Sequence, residues 1–245
     1  MTKSAAGKNG YLGTILCLVS AFVLVKAMSP AIAADLPRHF AVGAVLILLP
    51  ILAFRPSALF FKKILTRSEN RWGAWFCIAY VFAPVLILVL AFPEQWPEAR
   101  IELLRWNLST AGLSAVILAP LAEEFFFRGW LLNFQRAKSS TEHSPTVKIR
   151  SVREWFWLCY LNAIIFWIFH IPIDEDFWTV WMNALEKGLV PLSPGPFFLG
   201  FVTTALTLFS GNPRMAIIFH ALANASGPLW WPILSNETLR SVFYF

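Results

Sequence analysis

Leu108–Leu132 reads LSTAGLSAVILAPLAEEFFFRGWLL. A run of this length with so few polar groups suits one helical crossing of a bilayer, which takes about 20 apolar residues. It is not uniformly apolar, because Glu123, Glu124 and Arg128 stand within it. A charge inside a spanning helix is costly in hydrocarbon, so each of the three needs a partner and is a candidate for function.

Six further runs share the apolar character: Tyr11–Met28, Phe40–Phe54, Trp72–Phe92, Trp155–Ile171, Phe197–Ser210 and Met215–Leu234. Lipid offers backbone groups no hydrogen-bond partner, so runs of this kind fold as helices that satisfy themselves. A transmembrane barrel would instead alternate polar and apolar residues in segments of ten or so, and these runs do not alternate. The reading is an all-α polytopic bundle of about seven spans, within a range of six to eight, built as a single membrane domain over residues 1–245. Glu98–Trp106 and Phe177–Lys187 mix charged with apolar residues and read as interfacial amphipathic helices, or as ends of the adjoining spans.

Composition agrees. Of the 245 residues 58% are hydrophobic and 14% charged, and the mean hydropathy is +0.62. Soluble domains carry nearer 25% charged residues. The net charge of +6 does not point to nucleic acid, because the cations gather in short segments between apolar runs. Such segments are Arg55–Arg71 and Arg136–Arg153, with Lys3 and Lys8 before the first run and Arg214 before the last. Basic loops face the cytoplasm, which predicts a cytoplasmic N-terminus. Lys3, Lys8 and the later Ala31-Ile32-Ala33 also resemble a cleavable signal peptide. A retained first span is preferred, since the remaining runs hold the chain in the membrane anyway. Cys17, Cys77 and Cys159 each sit within an apolar run and read as small buried hydrophobes. Trp178, Trp181, Trp230 and Trp231 suit an aromatic belt at the membrane interface. His39 flanks a span and reads as an interface residue, and His143 sits in a basic loop and reads as solvated.

Polar groups inside the runs form a short set. Glu124 and Arg128 are four residues apart, so they share a helix face and can pair, with the guanidinium suited to gripping a carboxylate. Glu123 lies about 100° further around the helix and is left for another partner. His170 ends the fifth run, and His220 and Asn224 share one face of the seventh. Taken singly, each has an ordinary structural reading. Together, three apolar helices contribute polar groups that lipid drives toward one another.

Two chemistries fit. In one, Glu123 and His170 polarise a water that attacks a peptide carbonyl, while His220 and Asn224 hydrogen-bond the developing oxyanion. In the other, Glu123, His170 and His220 ligate zinc and leave a water site open. Neither an HExxH nor a GxSxG pattern is present to favour a zincin or a serine hydrolase. A proton-coupled transporter could also use intramembrane Glu and His, although the repeated halves of many such folds are not evident here.

In sequence order the motifs are Glu123-Glu124-(FFF)-Arg128, Phe166-(WIF)-His170 and His220-(ALA)-Asn224. This pattern resembles the CPBP family of intramembrane proteases, also called the Abi or CAAX protease type 2 family, over a core of about residues 108–224. The resemblance implies an all-helical membrane fold and peptide-bond hydrolysis within the bilayer. By motif position it assigns Glu123 and His170 to water activation and His220 and Asn224 to the oxyanion, with Glu124 and Arg128 as a supporting pair. It implies a metal-independent glutamate mechanism with no cofactor, with zinc held by Glu123, His170 and His220 as the alternative. The implied partners are a membrane-associated peptide or protein substrate and the lipid bilayer, with no nucleic acid. A non-catalytic immunity or scaffold protein on the same fold is the competing reading. The small size and basic loops suggest a multi-pass protein of a bacterial inner membrane, for which a prenylated substrate is less expected.

Overall fold

The computed structural model describes residues 15–26, 41–48, 71–132, 151–171 and 194–235. All regular structure among them is helical: α1 (Ile15–Lys26), α2 (41–48), α3 (Arg71–Ala91), α4 (Trp96–Leu108), α5 (Thr110–Leu131), α6 (Val152–His170), α7 (Pro194–Ser210) and α8 (Arg214–Ser235). Each of the seven apolar runs corresponds to a helix. The mixed segment at Glu98–Trp106 becomes α4, whereas Phe177–Lys187, Trp178, Trp181 and most of the basic segments lie outside the described residues.

Among the described residues three helices are long and apolar enough to cross a bilayer, namely Gly73–Ala91, Thr110–Leu131 and Val152–His170. Ile15–Lys26 and Gly195–Ser210 are shorter apolar helices. The exposed residues of α3 include Trp75, Ile78, Phe82, Leu86 and Leu90. Such a face is the proper surface for a helix whose outer solvent is lipid.

α5 lies at the centre. Its inner residues Phe126, Phe127 and Leu131 pack with Cys17 and Ala21 of α1, Leu46 of α2 and Phe166 of α6. Lys26 of α1 donates to the carbonyl of Ile171, just past the end of α6. α6 and α7 run in close contact. A Cβ on Gly200 of α7 would come within 3.0 Å of both Ala163 Cα and Phe166 Cβ of α6, so the bare glycine sets how near the helices come. α7 turns into α8 through Gly211, whose φ of 66° suits a residue without a side chain. Asn212 Oδ1 then accepts from the Arg214 amide at 2.8 Å.

Two prolines reshape the helices around the site. α5 adopts π-helical turns over Ser114–Leu118 and Phe125–Leu131, a form associated with functional positions in membrane and soluble helices alike. In the first, Ala119 N–H bonds the Ser114 carbonyl five residues back. The next donor in that register would be residue 120, which is proline and has no N–H. The Ala115 carbonyl is thereby released for another donor. In α8, Pro228 removes the donor that would close on the Asn224 carbonyl by the same reasoning.

The candidate active site

Straight spans bounded by the basic loops would set Glu123, His170 and His220 at different depths. The helices are offset instead. Leu132, at the end of α5, packs with Cys159 of α6 and Leu208 of α7, so the first two turns of α6 project beyond α5. Counting from that layer, Glu123 is nine residues away and His170 eleven, about 13 and 16 Å at the helical rise. His220 is six residues into α8, the helix that returns from α7 near the same layer. The offset narrows the difference in depth, and the side chains of all three meet.

Glu123 Oε2 lies 3.4 Å from His170 Nε2 and 3.8 Å from His220 Nε2. His170 Nδ1 is 2.7 Å from the Phe166 carbonyl oxygen. A carbonyl only accepts, so Nδ1 carries the hydrogen and Nε2 is the nitrogen turned to Glu123. His220 is arranged alike, with Nδ1 2.9 Å from Glu124 Oε1. Both imidazoles thus have their outer nitrogen held by an acceptor and their inner nitrogen aimed at one carboxylate.

Glu124 and Arg128 are completely buried, with Glu124 Oε2 3.2 Å from Arg128 Nε. Arg128 Nη2 also donates to the Gly200 carbonyl at 2.8 Å. The pairing expected from the four-residue spacing is present, and Glu124 has a second duty that spacing did not reveal, since its other oxygen orients His220. Phe166 links the parts from behind. Its ring stacks on His170 at 4.3 Å, meets His220 edge-on at 5.8 Å, and lies 4.7 Å from the Arg128 guanidinium carbon, within reach of a cation–π attraction.

Asn224, one turn beyond His220, points to a different part of α5. Its Nδ2 donates to the Ala115 carbonyl at 2.7 Å, the acceptor that Pro120 releases. The Asn224 backbone carbonyl, released by Pro228, accepts from Trp106 Nε1 at 3.0 Å. Asn107 Nδ2 donates to the neighbouring Ala225 carbonyl at 2.9 Å. Nothing in the three motifs marks Trp106 and Asn107; the signal available was Pro120 in the fourth apolar run and Pro228 in the seventh, each of which orphans a carbonyl.

Glu123, His170, His220 and Asn224 all line one cavity of about 1690 Å³. Its wall is largely apolar, with Tyr80 and Phe219 on one side, and with Gln95, Glu98, Glu102 and Trp106 of α4 and its approach on another. Trp230 and Trp231 also line it, and Trp230 packs on Tyr80 at 5.2 Å. These two indoles, expected in an interface belt, are therefore also part of the cavity wall. The wall contains no serine, threonine or cysteine among the described residues. The buried threonines of α7 face elsewhere: Thr203, Thr204 and Thr207 return their hydroxyls to carbonyls four residues back on their own helix.

The fold and site define a helical membrane protein whose polar centre is a glutamate flanked by two histidines. Residues 105–226 match the family model described as Rce1-like, type II CAAX prenyl endopeptidase. The chain belongs to this CAAX protease family, whose members are endopeptidases acting on membrane-associated proteins. No match to the chain was found among curated proteins or among solved structures.

Proposed function

We propose that the protein is an intramembrane endopeptidase that hydrolyses a peptide bond of a membrane-associated substrate with a water activated by Glu123 and His170. The observation that carries this reading is the convergence of both histidine Nε2 atoms on Glu123 Oε2, at 3.4 and 3.8 Å, at the wall of a cavity large enough for a peptide.

In the proposed step the Glu123–His170 pair accepts a proton from water as its oxygen attacks the substrate carbonyl carbon. The carbonyl π electrons move to oxygen, giving a tetrahedral oxyanion. His220 Nε2–H and the second N–H of the Asn224 amide donate to it; Nδ2 spends only one hydrogen on Ala115. Glu124 Oε1, 2.9 Å from Nδ1, holds the ring so that Nε2 faces the place where the oxyanion forms. Collapse of the oxyanion breaks the C–N bond, and the proton held by the Glu123–His170 pair passes to the leaving nitrogen. The proton taken from water thus leaves with the product, and Glu123 and His170 regain their starting forms.

Among the described residues no three His, Cys, Asp or Glu side chains are grouped so as to hold a metal ion, and the proposed step uses protein groups alone. A chelator added to the purified enzyme leaves cleavage unchanged on this reading and abolishes it on the zinc reading. The main test compares membrane peptides from cells carrying the wild-type chain and Glu123→Ala. Products present only with the wild type are expected, at equal protein levels. Identical peptide sets would refute the proposed activity.

A further inference from the structure

We infer that Trp106, on α4 and outside the three motifs, is a positioning residue of the active site that acts through Asn224; its catalytic part rests on the function proposed above. Three observations combine. Pro228 leaves the Asn224 carbonyl without its helical donor. Trp106 Nε1 supplies a donor at 3.0 Å, and Asn107 holds the adjacent Ala225 carbonyl at 2.9 Å. The Asn224 side chain is fixed from the opposite direction by the Ala115 carbonyl, at 2.7 Å.

Asn224 is thus clamped at both ends, its backbone by α4 and its amide by the π-helical turn of α5. Without the indole N–H, the opened turn of α8 loses the contact that fixes residue 224 against α4. The amide could then follow the Ala115 carbonyl away from the place where an oxyanion forms. An ångström of such displacement is enough to slow an oriented reaction by about a hundredfold, and a partial loosening by about tenfold. Trp106 itself lines the cavity, so α4 is both a wall of the site and the splint for its oxyanion donor. Gly112 belongs to the same arrangement. A Cβ there would stand 1.8 Å from the Trp106 carbonyl oxygen, so the tight join of α4 to α5 depends on that glycine.

The test uses the full-length protein and two mutant cycles. In the first, thermal melting of the purified chain in detergent is compared for wild type, Trp106→Phe, Pro228→Ala and the double variant. Pro228→Ala restores a backbone N–H for the Asn224 carbonyl, so the loss of Tm caused by Trp106→Phe should shrink by at least half when the proline is also replaced. An equal loss in both backgrounds would overturn the pairing. In the second, the rate of appearance of the Glu123-dependent peptides is measured in membranes at matched protein levels. Trp106→Phe should slow it about tenfold with Asn224 present and less than about twofold with Asn224→Ala. A wild-type rate for Trp106→Phe, or independent multiplication of the two effects, would overturn the positioning role. If no peptides depend on Glu123, the peptidase reading and the catalytic part of this inference fail together, while the melting cycle still decides whether Trp106 supports the turn at Pro228.

Discussion

α3 and α5 look similar as apolar segments and behave differently as helices. Both are of spanning length and both contain an internal proline, Pro84 in one and Pro120 in the other. The most apolar stretch of α3 is only 17% buried, against 44% for α5. α3 is a regular α-helix with many of its large side chains facing outward, whereas α5 changes register twice and carries Glu123, Glu124 and Arg128. Its irregular turns are tolerable because other protein groups take up the released carbonyl, as Asn224 does for Ala115. Irregular backbone in a membrane is viable only where protein or a cavity surrounds it. Burial, rather than apolarity, separates the helix with the outward apolar face from the helix that carries the charged residues.

The strongest way to break this comparison is to press on the entrance to α5. Gly112→Ala should abolish recovery of a monodisperse protein after detergent extraction, because its new methyl would collide with the backbone of Trp106, not with a movable side chain. Normal recovery would mean that α4 and α5 are not joined as described. A lesser effect is expected from Glu124→Gln, which keeps the shape of the side chain but leaves Arg128 buried beside a neutral partner. Breaking a buried ion pair costs about 3–5 kcal/mol, read as a clear fall in the melting temperature, and the loss of the carboxylate behind His220 should also lower the rate of product formation. The smallest effect belongs to α3. Leu86→Ala, at a position 60% exposed, should change stability by no more than about 0.5 kcal/mol when measured in lipid. A large loss there would show that α3 has a protein partner on its outer face.

Much of the frame was legible from the chain alone, for a physical reason. Apolar runs must be helices in lipid, and charges inside them must meet. That logic located all seven helical runs and brought Glu123, Glu124, Arg128, His170 and His220 into one cluster. It could not find the second bond of Glu124, because spacing within one helix reveals only partners on that helix. It could not place the three helices in depth, because the offset between α5 and α6 is set by packing at Leu132, Cys159 and Leu208. Trp106 also escaped it. An indole in an interfacial segment resembles any other belt residue until the proline it serves, more than a hundred positions later, is seen beside it.

The cavity wall, which bears neither serine, threonine nor cysteine among the described residues, has a practical consequence. Electrophilic reagents that tag serine or cysteine peptidases depend on such a side chain as nucleophile, and the described wall offers them none. On the proposed mechanism, labelling with those reagents would leave the protein unmarked however fast it turned over. An inhibitor designed on that mechanism would be reversible, copying the tetrahedral carbon with a stable hydrated or phosphorus-centred group for Glu123, His220 and Asn224 to hold.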